Sequence, residues 1–390
     1  MNEKMKTLMA EIEPKLLAFC QDIVRIKSYT GKEEEVILRI EREMVSLGYD
    51  KVVIDANGSV IGIIGTGDTR IYFDGHTDTV VAKPEEWSFD PWAGDIVDGY
   101  LRGRGSTDMK SSAAASVYGA YLARELGLTE GKTVYVSCSV MEEDYEGTAV
   151  QNEFSELNFK PDYAVICEPT RLRIGNGHHG RALFEVTAKG KSIHASRHQL
   201  GDNALNKALK VAERVEKFGK MLLEADGAKG AIASTKLVTD APSINSIPGL
   251  AVLTIDRRIT PESTEETLAD EMNLLCDGIP DVTWKIVDTM GESWTGKDVV
   301  LRNMINAWQT DPSHHLIETA KAAVQELGVA PEVYRRNGCT NGWVTGGAEH
   351  IPTIIFGAGD EANCHVINET CPVSQIPVAC QFYAALIGML

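Results

Sequence analysis

Five stretches of this sequence carry a histidine or a carboxylate just past a strand-like run. "RIYFDG" is followed by His76, Thr77 and Asp78, and "YLRGRGST" leads into Asp108. "KTVYVSCSV" is followed by Met141, Glu142 and Glu143, and "DYAVIC" by Glu168 and Pro169. "IPTIIFG" leads through "AGDEANC" to His365. In open α/β sheets ligands bind outside the carboxyl ends of the strands, which is where these residues fall. Each has an ordinary explanation alone. His76 reads as a hydrogen-bonded core histidine, Glu142 and Glu143 as a solvated acidic turn, Glu168-Pro169 as a turn, and Asp108 as a helix N-cap. Together they point to a metal site, because two histidines and three carboxylates suit borderline divalent ions such as zinc.

Five donors exceed what a single structural zinc needs, and the cysteines form no CxxC pair. Two ions sharing one carboxylate fit the count better. Two-metal hydrolytic sites hold their ions about 3.5–4 Å apart, a span one carboxylate can bridge. Asp108, between the two halves of the set in sequence, is the candidate bridge. Asp78 is the candidate orienting partner of His76, since a ligating imidazole usually gives its other N–H to a carboxylate. Glu142 and Glu143 are adjacent, so one can ligate while the other faces a water. A metal lowers the pKa of water to about 7, and a nearby carboxylate can take the proton and deliver it to a leaving amine.

Strands alternating with helices must position these residues. Leu8, Ile12, Leu16, Phe19 and Ile23 share one stripe and predict a helix over 5–26. Thr30 and Glu33 form a capping-box pattern ahead of a second helix ending near Gly48. "KVVID", "SVIGIIG" and "RIYFDG" are β-rich, with an Asn57-Gly58 turn between the first two. "MKSSAAASVYGAYLARELG" and "VSQIPVACQFYAALIGML" read as helices. The alternation predicts a mixed, mostly parallel α/β sheet sandwiched by helices. Between about 182 and 290 the order becomes strand, helix, strand, strand, helix, strand, with the second helix capped by Ser263 and Glu266. That is the split βαβ pattern of a ferredoxin-like α+β unit. The predicted division is 1–181 with 292–390, and an inserted domain at 182–291.

The totals bound the remaining possibilities. A chain of 390 residues suits two domains, and 43% hydrophobic with 24% charged residues describes a soluble globular protein. A net charge of -18 argues against nucleic acid, whose phosphates need clustered Lys and Arg. No basic amphipathic helix and no run of about 18 apolar residues suggests a membrane partner. The N-terminus lacks a signal-peptide core, so a cytoplasmic location is expected. The eight scattered cysteines read as small core residues rather than a disulfide framework, with Cys364 beside His365 the one catalytic candidate. "GTGDTRIYFDG" opens no helix with GxGxxG, which argues against a nucleotide enzyme.

At this point the chain resembles the dizinc amidohydrolases that include acetylornithine deacetylase, succinyl-diaminopimelate desuccinylase, aminoacylase and carboxypeptidase G. The matching motifs are "DGHTDTV", "GRGSTDMKSSAAA", "MEEDYEG", "CEPT", "GKSIHAS", "NSIPG", "IDRR" and "CHVINE", in the family's order and across nearly the whole chain. The style of "NGCTNGW" and "FGAGDEANCHVINE" is similar to a subgroup linked with selenium metabolism. The resemblance implies one ion held by His76, Asp108 and Glu168, a second by Asp108, Glu143 and His365, and Glu142 as general base and acid. It implies zinc, with cobalt or manganese as alternatives, and a cis peptide at Asp108-Met109. The inserted domain is then a lid and homodimerisation domain. His194 would reach the partner subunit's active site and polarise the scissile carbonyl. Arg258, with Asn245 and the Gly357 backbone, would take the substrate's free carboxylate, and Thr340 and Asn341 would lie on a substrate-side loop. Thr340-Asn341, Ser112 and His198 depart from the family's usual residues. His178, His179, His198, His314, His315 and His350 take structural readings.

The implied activity is hydrolysis of the amide bond of a small N-acyl amino acid, acetyl, succinyl or carbamoyl. A dipeptidase or aminopeptidase with the same centre is the alternative. A non-catalytic binding protein on this scaffold should have lost ligands or the base, and this sequence has lost neither.

Overall fold

A computed structural model describes residues 3–224 and 230–390. The chain divides into two compact units, one of residues 1–178, 290–301 and 309–390, the other of 179–289 and 302–308. The first unit holds a mixed sheet. In spatial order its strands are Lys51–Ile54, Val60–Ile64, Lys132–Cys138, Thr69–Asp74, Tyr163–Ile166, Thr353–Ile355 and Ile174–His178. The central strands Lys132–Cys138, Thr69–Asp74, Tyr163–Ile166 and Thr353–Ile355 run parallel. Val333–Arg336 pairs parallel with Ile174–His178. The four central strands are buried along most of their length, as parallel strands covered on both faces must be.

Helices Glu3–Arg25, Ser111–Glu125 and Gln375–Met389 pack against one another beside this sheet. The alanines of Ser111–Glu125 allow close approach. A Cβ on Gly119 would stand 2.8 Å from Tyr383 Cβ, too near to fit. Tyr383 in turn meets Phe73 edge-on, with ring centroids 5.4 Å apart. The strand Thr69–Asp74, which leads to His76, is thus anchored by aromatic packing on the last helix.

The second unit has an antiparallel sheet in the order Ala231–Thr239, Leu250–Ile259, Gly180–Lys189, Val282–Ile286. Burial alternates along Gly180–Lys189 and Leu250–Ile259, and Phe184, Leu253 and Ile255 form a core with Val211, Val215, Leu268 and Met272 of helices Ala204–Glu224 and Glu265–Cys276. The short strand Met304–Ile305 returns to pair with Arg181-Ala182. That return is why this unit takes a second segment, where the sequence suggested only 182–291.

Two caps differ from the sequence reading. Glu33 sits at the N-cap of helix Glu34–Ser46 but makes no side-chain cap bond. The helix expected to be capped by Ser263 and Glu266 is Glu265–Cys276, and its capping box is Thr264 with Thr267. Ser263 instead closes a turn on Thr260, with its N–H on the Thr260 carbonyl and its Oγ accepting from Thr260 N–H, so the helix begins one residue later.

Candidate metal centre

The parallel strands end side by side, so their following loops converge. His76 Nε2 lies 3.1 Å from Asp108 Oδ1 and 3.8 Å from Glu168 Oε1. His365 Nε2 lies 3.2 Å from Asp108 Oδ2 and 2.9 Å from Glu143 Oε2. Within each trio, His76–Asp108–Glu168 and Asp108–Glu143–His365, the donor atoms lie within 4.8 Å of one another. Glu142 Oε2 stands 3.9 Å from His76 Nε2, beside the first trio. All of these side chains are buried except His365, which is 54% exposed. The Asp108–Met109 peptide is cis.

The electrostatics fit a cation site. Burial, and then Asp108, pushes Glu143 up to about 7. Burial also pushes Glu168 up to about 7, against the nearby Arg336. Burial raises Glu142 well above the ordinary glutamate range, despite the attraction of His76. Asp108 moves the other way: burial opposes its charge, but hydrogen bonds from His365 and His76 hold it well below the usual range. Those bonds with Asp108 and then Glu143 lift His365 to about 10. Carboxylates crowded out of water and two imidazoles aimed at one shared aspartate form a donor set that suits divalent ions. Cys364 is a poor nucleophile, because burial raises its thiol far above the usual range.

Supporting residues hold these donors. His76 Nδ1 lies 3.0 Å from the carbonyl oxygen of Asp78, nearer than the 3.5 Å to its carboxylate. The Asp78 carboxylate accepts instead from Glu142 N–H, Glu143 N–H and Thr30 Oγ1. Arg336, buried, pairs with Glu168 Oε2 at 3.0 Å and donates to Pro169 O at 3.2 Å. Glu369 accepts from the Thr107 and Asp108 amides and pairs with Arg104. Arg336 and Glu369 were not singled out by sequence. The signal for Arg336 was available: like the donors, it closes a strand-like run, "EVYRR".

The other expected site residues are placed variously. Thr340 and Asn341 are buried. Asn341 Nδ2 donates to Asp74 and Ser139, and its Oδ1 accepts from Gly147 N–H, so its side chain is engaged within the protein. Gly357 packs so closely on Glu168 that a Cβ would stand 2.6 Å from the Glu168 carbonyl oxygen. Ser112 Oγ accepts from Ala358 N–H, giving that departure a local role. In the second unit, His194 and Asn245 share a small ladder. His194 pairs with Ser246, and Ala195 N–H donates to the Asn245 carbonyl. Arg258 is exposed and paired with Asp256, opposite Arg181 near the far end of strand Leu250–Ile259, while Arg257 is buried on Glu271. That strand separates Arg258 from the His194 end by roughly 25 Å at about 3.3 Å per residue.

An α/β sheet with two donor trios sharing one carboxylate, and a further buried glutamate beside them, defines a metallohydrolase class. The family follows from comparison. Residues 72–388 match Peptidase family M20/M25/M40, and the chain belongs to that family. It is 30% identical over 388 residues to the uncharacterized protein YgeY of Escherichia coli strain K12, covering 98% of this chain and 95% of that one. It is 26% identical over 384 residues to succinyl-diaminopimelate desuccinylase of Parvibaculum lavamentivorans, covering 94% and 93%. Its fold matches the crystal structure of the YXEP protein of Bacillus subtilis, a dinuclear metal binding peptidase from the M20 family, with a TM-score of 0.71 at 16% identity and coverage of 97% and 98%. The chain is a hydrolase of peptide or amide bonds. Among the described residues no helix is long and apolar enough to cross a membrane.

Proposed function

We propose that the protein is a dinuclear metal-dependent amidohydrolase that cleaves the amide bond of a small N-acyl amino acid. One observation carries this reading: Asp108 offers one oxygen to each of two histidine–carboxylate sets, with Glu142 beside the first. His76, Asp108 and Glu168 would hold one ion, and Asp108, Glu143 and His365 the other. Zinc suits this nitrogen and oxygen donor set best, with cobalt or manganese next. When bound, such ions supply Lewis acidity toward a carbonyl and lower the pKa of water. Glu142 is the proton carrier, accepting from water and releasing to the leaving amine. His194, from the partner subunit's lid, would donate to the carbonyl oxygen, with Asn245 beside it on the same short ladder, and Arg258 would take the substrate's carboxylate.

The desuccinylase relative supports an N-acyl amino acid as substrate. The peptidase name of the YXEP protein favours the second reading, a dipeptidase or aminopeptidase using the same donors. Exposed Leu209, Met221 and Leu223 on helix Ala204–Glu224, beside the exposed edge strand Ala231–Thr239, support a homodimer through the second unit. The buried free thiols of Cys20, Cys138, Cys167, Cys371 and Cys380 support a reducing, cytoplasmic setting. The test is a screen of metal-loaded protein on N-acetyl, N-succinyl and N-carbamoyl amino acids against dipeptides. Glu142→Ala should lower kcat by about 10²–10⁴ with metal content unchanged. Purified protein without stoichiometric divalent metal, or an E142A variant that still hydrolyses amides, would overturn the reading.

A further inference from the structure

Thr30 and Glu33 look like a capping box in sequence, yet neither side chain caps the helix that follows. Both turn toward the site. Thr30 Oγ1 donates to Asp78 Oδ2 at 2.8 Å. Glu33 is fully buried, and its Oε1 accepts from Gly31 N–H at 2.9 Å and Met141 N–H at 3.2 Å. Asp78 takes the next two amides, Glu142 N–H on Oδ1 at 2.9 Å and Glu143 N–H on Oδ2 at 3.0 Å. Two buried carboxylates therefore hold three consecutive amides. The segment carrying Glu33 is itself fastened to the same loop, because Ser28 Oγ donates to Thr77 O and Thr79 N–H donates to Ser28 O.

These amides belong to a turn that needs holding. Met141 has φ +61°, a left-handed conformation that side-chain-bearing residues adopt only when their surroundings enforce it. The turn sends Glu142 toward His76 and Glu143 toward His365. Rotation of the peptide at Met141 would move both. We propose that Glu33 is a positioning residue: by holding Met141 N–H it fixes the turn that aims Glu142 at one donor trio and Glu143 at the other. The inference rests on the role given to Glu142 above. Burial, then the neighbouring Asp78, pushes the Glu33 carboxyl up to about 8. Glutamine keeps the accepting oxygen and the shape of this side chain.

The test compares Glu33→Ala, Glu33→Gln and Thr30→Val in the metal-loaded full-length protein. The substrate is the N-acetyl amino acid cleaved fastest in the screen. Hydrogen–deuterium exchange over residues 138–147 is the second readout, and it needs no substrate. At saturating zinc E33A should lower kcat at least about tenfold and leave KM within about threefold, and it should hold the ion of the Glu143 trio more weakly than wild type. Exchange across the turn should quicken. E33Q should bring kcat to within about threefold of wild type and restore slow exchange, with T30V between the two. Should E33A not fold, Glu33→Asp withdraws the acceptor by one methylene and carries the same expectations. An unchanged kcat in E33A at saturating zinc, unchanged exchange across the turn, or E33Q as impaired as E33A would overturn the proposal. If E142A keeps its activity, the function reading fails, while the exchange result still decides whether Glu33 holds the turn.

Discussion

The two oxygens of Asp108 face two different histidines, Oδ1 at 3.1 Å from His76 Nε2 and Oδ2 at 3.2 Å from His365 Nε2. One buried side chain therefore joins both donor trios. Its position is set from behind by Glu369, which accepts from the Asp108 amide.

Asp108→Asn keeps the shape but removes the charge and one acceptor. We expect metal retained after dialysis to fall from two ions per chain to at most one. Affinity for the remaining ion should fall at least about 100-fold. Elemental analysis and calorimetric titration read this directly, and two tightly held ions in D108N would exclude the shared-ligand arrangement.

Chelation should destabilise the protein as well as silence it. The side chains of Asp108, Glu142, Glu143 and Glu168 are crowded together out of water, and an ion that binds only the folded chain adds about 4 kcal/mol at a thousandfold excess over its Kd. The melting temperature should drop with dipicolinate and recover, with activity, on adding zinc, cobalt or manganese. An unchanged melting temperature would argue that these carboxylates hold no ion.

The ring state of His194 can be checked without substrate. Ser196 N–H donates to His194 Nδ1 at 3.2 Å, so the neutral ring carries its hydrogen on Nε2. Long-range 15N–1H spectra at alkaline pH should show the Nε2–H tautomer, leaving that N–H free to serve as the oxyanion donor. His194→Ala should then cost about 10²–10³ in kcat with metal content intact. A dominant Nδ1–H form would contradict the first expectation, and full activity in H194A the second.

Glu153, away from the metal trios, is buried and accepts from Tyr72 Oη and Ser137 Oγ, both at 2.8 Å. Burial, then Asp55 and Asp74, raises its carboxyl well above the ordinary value of 4.5. The folded state thus keeps a proton that the unfolded chain releases above pH 4.5, so this group weakens folding as pH rises past that point. Glu153→Gln does not titrate. Its stability advantage should be absent at acid pH and grow by at most about 1.4 kcal/mol per pH unit toward neutrality. Chemical denaturation from pH 4 to 8 measures it, and an advantage that shrinks with rising pH would reverse the assignment.

The candidate ligands were legible because few residue types bind divalent ions and the strand-like runs mark where a sheet collects them. His76, Asp108, Glu143, Glu168 and His365 stand out for that reason, as does Glu142 beside them. Alternation along the chain likewise carried the α/β sheet and the inserted split βαβ unit. Residues that act through partners distant in sequence were harder. Arg336 acquires its meaning only from Glu168, and Asn341, read as facing substrate, is engaged by Asp74, Ser139 and Gly147.

The capping-box pattern marks the boundary most clearly. Thr30 and Glu33 have the spacing of a local cap, and local spacing is all that a sequence displays. The fold brings Asp78 and the Met141 amide within reach, and those buried groups needed partners more than an exposed helix end did. By itself the sequence determined which residue types could do the chemistry and the order of elements that carries them. Only the tertiary structure decided which oxygen meets which amide, because that depends on where separate loops come to rest against one another.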